Sequence, residues 1–208
     1  MSIVKGRTNI LNHLIKKNNY NNYLEIGIGC NTNFNNIDIF NKTGVDPVYD
    51  CNYKMTSDRF FEILLPEIKY DIVFIDGLHY AEQLLKDIVN SINNLKEGGT
   101  IVCHDCNPLV EEHQQRRPHP IVGQTAWTGD CWKAIWIIKH HLPCIADYWT
   151  VDCDWGCCIL KPSVLKADKF NEPDVMSMIG SLSFVDLDNN RKDVLNLISL
   201  QEFYENFN

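Results

Sequence analysis

Hydrophobic residues along the chain follow two spacings, one typical of helices and one of buried strands. The helical spacing predicts an N-terminal helix within residues 1–20 and two further helices over residues 81–95 and 131–140. Short apolar runs that end in glycine or an acid predict strands at residues 23–29, up to Asp46, at 70–77 and at 100–103. Strands that alternate with helices and are apolar throughout are buried on both faces, so the pattern predicts a parallel sheet between two helical layers.

The pattern changes after residue 105. Residues 106–130 are polar, contain proline and show no periodicity, which in a compact domain is typical of a functional loop. Two further strands, at residues 145–151 and 156–161, are close enough to form an antiparallel hairpin at the edge of the sheet. The tail, residues 190–207, has the spacing of a closing amphipathic helix. We therefore expect a single α/β domain over residues 1–208.

Composition narrows the class of protein. With 45% hydrophobic and 22% charged residues in 208, the chain is typical of a globular domain with room for a core and a pocket. Its 19 basic and 27 acidic side chains give a net charge of −8, which argues against nucleic acid as a partner. No apolar run approaches the ~20 residues of a membrane helix, and the N-terminus lacks a secretory pattern, so we expect no membrane association. The nine cysteines are an odd number and several lie in apolar runs, as expected for free thiols in the cytoplasm, which for a viral protein is that of the host cell.

Two motifs at the ends of the first two strands indicate a nucleoside-containing cofactor. Glu25-x-Gly27-x-Gly29 closes the first strand with glycines that let a ligand approach the backbone. Asp46 ends the second strand, where an acid suits the two hydroxyls of a ribose. The alternative for these residues is a glycine-rich turn and an acid that opens a turn before Pro47.

The third and fourth strands each end in groups that can act on protons or metals. Asp76 and His79 follow the third strand, and His104, Asp105 and Asn107 follow the fourth. Because parallel strands end on the same side of a sheet, we expect these groups beside the cofactor turn. There the carboxylates and the amide can hold a hard divalent cation, and a histidine can take the proton of a substrate hydroxyl. Local capping at His79 and a simple turn at Asp105 are the alternatives without a function.

In this order the motifs resemble those of class I S-adenosylmethionine-dependent methyltransferases. More narrowly, the chain resembles the small macrocin-type O-methyltransferases that act on sugars. The resemblance extends over roughly residues 20–160 and resumes from Asn190. It rests on five motifs and a tryptophan-rich stretch: Glu25-x-Gly27-x-Gly29, Gly44–Pro47, Met55–Asp58, Phe74–His79, His104–Pro108 and Trp127–Ala134.

The resemblance implies a fold and an activity. The implied fold is α/β and Rossmann-like, with a seven-stranded, mostly parallel sheet, an antiparallel final hairpin and helices on both faces. The implied activity is S-adenosylmethionine-dependent methylation of a sugar hydroxyl in glycan or glycoconjugate biosynthesis. The expected partners are then a sugar or oligosaccharide acceptor and, for a homodimer, a second copy of the chain.

The resemblance also implies which residues hold the methyl donor, S-adenosylmethionine. Glu25, Gly27 and Gly29 would line its amino-acid part, Asp46 would bind its ribose, Ser57 and Asp58 would flank its adenine, and Asp76 would border the site.

The implied reacting groups come from the ends of the third and fourth strands. The expected ligands of Mg²⁺ or Mn²⁺ are Asp76, Asp105 and Asn107. His79 matches the general base of the sugar-methylating relatives, and His104 stands beside it as a further catalytic candidate. Cys106 occupies the place of a second acid or amide in many metal-dependent relatives, and thiols are poor partners of Mg²⁺. A metal-free reaction carried by His79 or His104 is therefore the alternative.

The polar loop of residues 106–130 is expected to shape the acceptor pocket. Its charged and aromatic side chains are Glu111, Glu112, His113, Arg116, Arg117, His119 and Trp127. Trp127, Trp132 and Trp155 are candidate platforms for a sugar ring, with packing in the core or in loops as the alternative for each.

Four other functions remain open from the sequence. A phenol or catechol could replace the sugar as acceptor. An NAD-dependent oxidoreductase shares the glycine-rich turn and the ribose acid, but the third glycine of its fingerprint is missing here. A binding module without turnover is disfavoured, because burying unused polar groups is unfavourable. A zinc site would draw on the C-x-x-C of Cys103 and Cys106 together with His140, His141, Cys144, Cys153, Cys157 and Cys158.

Overall fold

The computed structural model describes residues 5–117, 127–168 and 170–207. Its strands are β1 (Asn22–Ile26), β2 (Asn41–Val45), β3 (Tyr70–Ile75), β4 (Leu95–Cys103), β5 (Ala146–Val151), β6 (Cys157–Pro162) and β7 (Leu197–Ile198). Its helices are α1 (Lys5–Asn18), α2 (Thr32–Asn35), α3 (Ser57–Ile63), α4 (Ala81–Asn93), α5 (Trp132–His141), α6 (Glu172–Ser181), α7 (Phe184–Val194) and α8 (Leu200–Asn206).

The strands form one seven-stranded sheet in the order β2-β1-β3-β4-β6-β5-β7. Strands β2, β1, β3 and β4 are parallel to one another, β6 is antiparallel to both of its neighbours, and β7 is parallel to β5. This confirms the Rossmann-like, mostly parallel sheet. The register pairs Ile26 with Val45 and with Ile75, and Ile75 with Cys103. The loops after the first four strands therefore leave the sheet at a common edge.

Helices cover both faces of the sheet, as predicted. Side chains of successive strand residues point to opposite faces, so Ile72 and Phe74 pack under α1 and α8, whereas Val73 and Ile75 pack under α4 and α5. The apolar stripe of α4 includes Leu85 and is fully buried there. Each helical layer therefore buries the apolar side of its helices against one face of the sheet. No helix in the described ranges is both long and apolar enough to cross a membrane.

The predicted hairpin exists, but it is neither final nor at the edge of the sheet. Strands β5 and β6 pair antiparallel from Ala146 to Val151, and β6 also pairs with β4. Outside β5 lies β7, which contributes only Leu197 and Ile198. A strand of two residues shows no alternation of apolar and polar positions, so the sequence pattern places the hairpin at the edge of the sheet.

The prediction of one helix over residues 190–207 is wrong. The structure ends α7 at Val194, inserts β7 and begins α8 at Leu200. The break falls at Asn196, whose φ of 44° is left-handed and cannot continue a helix. Ser199 then starts α8 with a capping box, in which the Ser199 Oγ accepts from the Glu202 amide at 3.1 Å and the Glu202 carboxylate accepts from the Ser199 amide at 2.7 Å.

Other boundaries shift for local reasons. The N-terminal helix predicted within residues 1–20 is α1, and residues 1–4 lie outside the described part. Strand β4 begins at Leu95, five residues before the predicted start at Thr100, because Gly98 and Gly99 lie inside it, with φ of 74° at Gly98. In the loop predicted at 106–130, a short 3₁₀ turn covers Glu111–Gln114, while residues 118–126, including His119, lie outside the described part.

The capping box at Ser199 gives a test of the tail. We expect Ser199→Ala to lower the free energy of unfolding by about 1 kcal/mol, because the Glu202 amide loses its acceptor. Ser199→Asp restores an acceptor at the cap and should keep most of that stability. Urea denaturation of the three proteins measures both effects. Equal unfolding free energies for the alanine variant and the original chain would show that the cap does not hold α8.

Candidate active site

A cleft of about 860 Å³ opens at the common strand edge. Ten of the residues predicted to act in donor binding or catalysis line it: Glu25, Gly27, Gly29, Asp46, Ser57, Asp58, Asp76, His79, His104 and Asp105. Gly27 is required by the geometry, since its φ is 82° and a Cβ there would lie 2.1 Å from the carbonyl oxygen of Asp76. The turn after β1 therefore rests directly on the end of β3.

Glu25 forms the buried floor of the cleft. Its carboxylate accepts hydrogen bonds from the Tyr23 hydroxyl and, at 3.1 Å, from Nδ2 of Asn33. Burial raises the pKa of Glu25 to about 8, and the nearby charge of Asp76 adds to the effect. A carboxyl group of this kind is held in place by its neighbours and is mostly protonated at neutral pH.

Asp46 ties the end of β2 to the glycine-rich turn. Its Oδ1 accepts from the amides of Val48 and Tyr49 at 2.8 and 2.9 Å, and its Oδ2 accepts from the Gly29 amide at 3.1 Å. The carboxylate is thus fixed at the cleft wall, as the recognition of a ribose requires. The helix after the turn, α2, has only four residues, so the long helix that receives a pyrophosphate in dinucleotide-binding proteins is not present after β1.

A glutamine and an acid that the sequence did not indicate complete this end of the cleft. Nε2 of Gln83 donates to Ser57 Oγ at 3.2 Å, to Asp58 Oδ1 at 3.1 Å and to Asp87 Oδ1 at 3.2 Å. Burial raises the pKa of Asp87 to about 7. Both residues lie on α4, where their spacing matches a helix face and gives no sign of a site.

Two imidazoles and two carboxylates meet at the other end of the cleft. His79 Nε2 lies 3.2 Å from Asp76 Oδ1 and 3.2 Å from Asp105 Oδ2. His104 Nδ1 lies 3.2 and 3.1 Å from the same two oxygens. Burial opposes the charge on His104, but Asp105 and Asp76 outweigh it and raise the pKa of the imidazole. In turn, against the effect of burial, His104 and His79 hold the pKa of Asp76 well below its usual range.

Left-handed backbone holds this group in place. His79 and Asp105 both have φ of 60°, which is uncommon outside glycine. Gly129 packs against the first of them so closely that a Cβ would lie 1.9 Å from the His79 carbonyl oxygen. Strained residues of this kind concentrate at functional sites.

Arg7 and Asp154 are the main residues that sequence reasoning missed. Arg7 donates from Nη1 to Asp76 Oδ2 at 2.7 Å, from Nε to Asp154 Oδ2 at 2.9 Å and from Nη2 to Asp154 Oδ1 at 3.1 Å. Arg7 lies on α1 and Asp154 in the turn between β5 and β6, so no local pattern connects them. The sequence offers one signal, the run Asp154-Trp155-Gly156, which is typical of a turn. In the structure all three residues have positive φ.

Two of the three predicted tryptophan platforms reach the cleft. Trp127 stacks on His79 with ring centroids 4.7 Å apart, and Trp155 also lines the cleft and makes an edge contact with His113. The third, Trp132, has no exposed surface and donates to Gln114 Oε1 at 2.8 Å, so it belongs to the core. Among the described loop residues predicted to shape the acceptor pocket, only Trp127 lines the cleft.

Asn107 does not join the metal-competent group. Its Nδ2 donates to Asp152 at 3.0 Å and its Oδ1 accepts from Arg191 at 2.6 Å. Within the described ranges, the group of donors that could share one ion consists of Asp76, His79 and Asp105, whose ligand atoms lie within 4.8 Å of one another. This set contains no thiol, so the described cysteines give no support to a zinc site.

The comparisons agree with this architecture. Residues 10–106 match the family model of a methyltransferase domain. No curated protein sequence matches the chain.

Solved structures of low sequence identity share the fold. A Klebsiella pneumoniae protein named as a candidate O-methyltransferase has 10% identity and a TM-score of 0.55, over 78% of this chain and 82% of that one. An O-methyltransferase from Bacillus cereus in complex with S-adenosylhomocysteine has 10% identity and a TM-score of 0.52, over 74% and 80%. An S-adenosylhomocysteine-bound methyltransferase from Podospora anserina has 12% identity and a TM-score of 0.52, over 75% and 77%. The chain therefore has the Rossmann-like fold of these methyltransferases.

Proposed function

We propose that this chain is an S-adenosylmethionine-dependent O-methyltransferase that methylates a hydroxyl of a sugar in glycan biosynthesis. The observation that carries the proposal is the division of one cleft into two ends. One end has the glycine-rich turn and Asp46, and the other has His79 between Asp76 and Asp105. A nucleoside-type donor and a proton acceptor can therefore meet in the same space.

The donor end fits S-adenosylmethionine. Gly29 leaves the backbone of the turn open to a ligand, Asp46 would bind the ribose, and Ser57 and Asp58 line the wall where an adenine would lie. The donor has two positively charged groups, a sulfonium and an ammonium, and one negatively charged carboxylate. The aspartates at positions 46, 58, 76 and 105 line the cleft and would attract these cationic groups.

When bound, S-adenosylmethionine supplies a methyl group on a positively charged sulfur. The chain has to orient the acceptor hydroxyl and take its proton. With Nε2 of His79 facing two carboxylates, the neutral imidazole keeps its proton on Nε2 and leaves a lone pair on Nδ1. That Nδ1 atom is buried and has no hydrogen-bond partner among the described residues. These contacts support His79 as the general base, with Asp76 and Asp105 as the groups that orient it.

The carboxylates of Asp76 and Asp105 also fit a divalent cation. Oxygen donors of this kind suit Mg²⁺ and Mn²⁺. Such an ion would lower the pKa of an acceptor hydroxyl.

The acceptor end suits a sugar ring. Trp127 and Trp155 present aromatic surface on two walls of the cleft, next to His79 and His104. Aromatic rings pack on the apolar C–H faces of sugars, and polar groups at their edges bind the hydroxyls.

The cofactor assignment is tested by calorimetric titration. We expect S-adenosylhomocysteine to bind and NADH not to bind. Asp46→Asn keeps an acceptor for the local amides but removes the negative charge that would accept hydrogen bonds from the ribose hydroxyls. The Kd for S-adenosylhomocysteine should therefore rise about tenfold or more. Absence of S-adenosylhomocysteine binding by the original chain, with or without Mn²⁺, would contradict the proposed function.

The role of His79 is tested with His79→Gln, which keeps polarity and bulk but cannot take a proton. Transfer of radiolabelled methyl groups to a panel of free sugars and glycosides should fall about 10²- to 10⁴-fold, while the Kd for S-adenosylhomocysteine stays unchanged. His141→Gln, on an exposed histidine at the end of α5, is the matched control. Full turnover by the His79 variant would remove this residue from proton transfer.

The metal assignment is tested by electron paramagnetic resonance of added Mn²⁺. We expect the original chain to bind the ion and Asp105→Asn to bind it at least about tenfold more weakly, because one charged ligand is lost. The exposed Asp147→Asn should bind as the original chain does. Methyl transfer that is unaffected by a chelator would show that the reaction runs without the ion.

A further inference from the structure

Arg7 has more hydrogen-bonding capacity than its protein partners use. A guanidinium carries five N–H groups in a planar fork. Asp76 and Asp154 together accept three hydrogen bonds from the side chain, one each from Nη1, Nε and Nη2. One N–H on Nη1 and one on Nη2 are left without a partner in the described part of the chain. The side chain is 22% exposed and lines the cleft, so these two donors are open to a ligand.

The partners of Arg7 also fix where the fork stands. Asp76 follows β3, and Asp154 lies in the turn at the carboxyl end of β5. In the sheet order, Asp46 at the end of β2 is on the opposite side of β1 from both. A donor whose ribose meets Asp46 and whose chain runs across the glycine-rich turn therefore points its amino-acid end toward Arg7.

Charge makes the assignment selective. Arg7 is the one lysine or arginine among the described residues that line the cleft, and four aspartates line it as well. A carboxylate ligand group is repelled by those acids and has a single permanently charged partner. The methyl donor has one negatively charged group, the carboxylate of its amino-acid part.

We propose that Arg7 binds the carboxylate of the methyl donor through the two free N–H groups of its fork, with Asp76 and Asp154 holding the fork in position. The inference rests on the proposed function, since it names the partner of one group of the proposed donor. It assigns the N-terminal helix α1 a part in donor recognition. It also explains why this position holds a guanidinium, whose N–H donors point outward along the edges of its plane, instead of the single ammonium of a lysine.

The test pairs two ligands with two variants. S-adenosylhomocysteine carries the carboxylate, and its decarboxylated analogue keeps the adenosine, the sulfur and the amine. Calorimetry on the original chain should show about tenfold or more tighter binding of S-adenosylhomocysteine, as expected for a charge-assisted hydrogen-bonded pair. In Arg7→Gln this preference should disappear, because affinity for S-adenosylhomocysteine falls while affinity for the analogue changes little.

Arg7→Lys covers the case in which Arg7→Gln fails to fold with two acids left unpaired. It keeps the charge but loses the fork, so the preference for the carboxylate ligand should shrink without vanishing. Lys17→Gln removes one positive charge from an exposed position of the same helix and should leave both affinities unchanged.

The outcomes separate the inference from the proposed function. If the original chain binds neither ligand, the donor itself is wrong and the inference falls with it. If the original chain binds both ligands and the Arg7 variants weaken both by the same factor, Arg7 is a structural residue. In that case S-adenosylmethionine remains the donor and only the assignment of its carboxylate is overturned.

Discussion

The reacting end of the cleft depends on the compensation of buried negative charge. Asp76, Asp105 and Asp154 have side chains that are 16%, 5% and 4% exposed. Removing a carboxylate from water costs on the order of several kcal/mol unless other charges replace the lost hydration. Arg7 from α1 and His104 from the end of β4 supply that charge. The same contacts join the N-terminal helix, the ends of two central strands and the β5–β6 turn. The ion pairs therefore hold these elements together, and the packed elements keep the ion pairs away from water.

This compensation explains why the site can keep a strained backbone. His79, Asp105, Asp154 and Trp155 all have positive φ, and each such residue costs on the order of 1 kcal/mol or more. The ion pairs around Arg7 and His104 offset that cost and fix the side chains before any ligand binds. His79 is further held between Trp127 and the backbone of Gly129. Under the proposed function, a base that is already oriented would lose little entropy when the acceptor binds.

The sequence predicted those parts of the site that follow directly from parallel strands. Gly27, Asp46, Asp76 and Asp105 stand at strand ends, and strand ends share one edge of the sheet whatever the details of packing. Arg7 and Asp154 could not be predicted in this way, because they are 147 residues apart in sequence and meet only through the folded sheet. The two-residue strand β7 and the left-handed break at Asn196 could not be predicted because of their small size. They are too short to impose a period on the hydrophobic pattern.

The two ends of the cleft also differ in how the chain builds them. The glycine-rich turn, Asp46 and the contact between Ser57 and Gln83 lie within the residues that match the methyltransferase domain, whereas Arg7 lies outside that match. Trp127, Asp154 and Trp155 lie beyond residue 106 and outside that match. A fold hosts different activities by changing the residues grafted onto a constant frame. The glycine-rich turn and Asp46 therefore belong to the part of the chain that matches the methyltransferase domain, and under the proposed function the walls formed by Trp127 and Trp155 would select the acceptor.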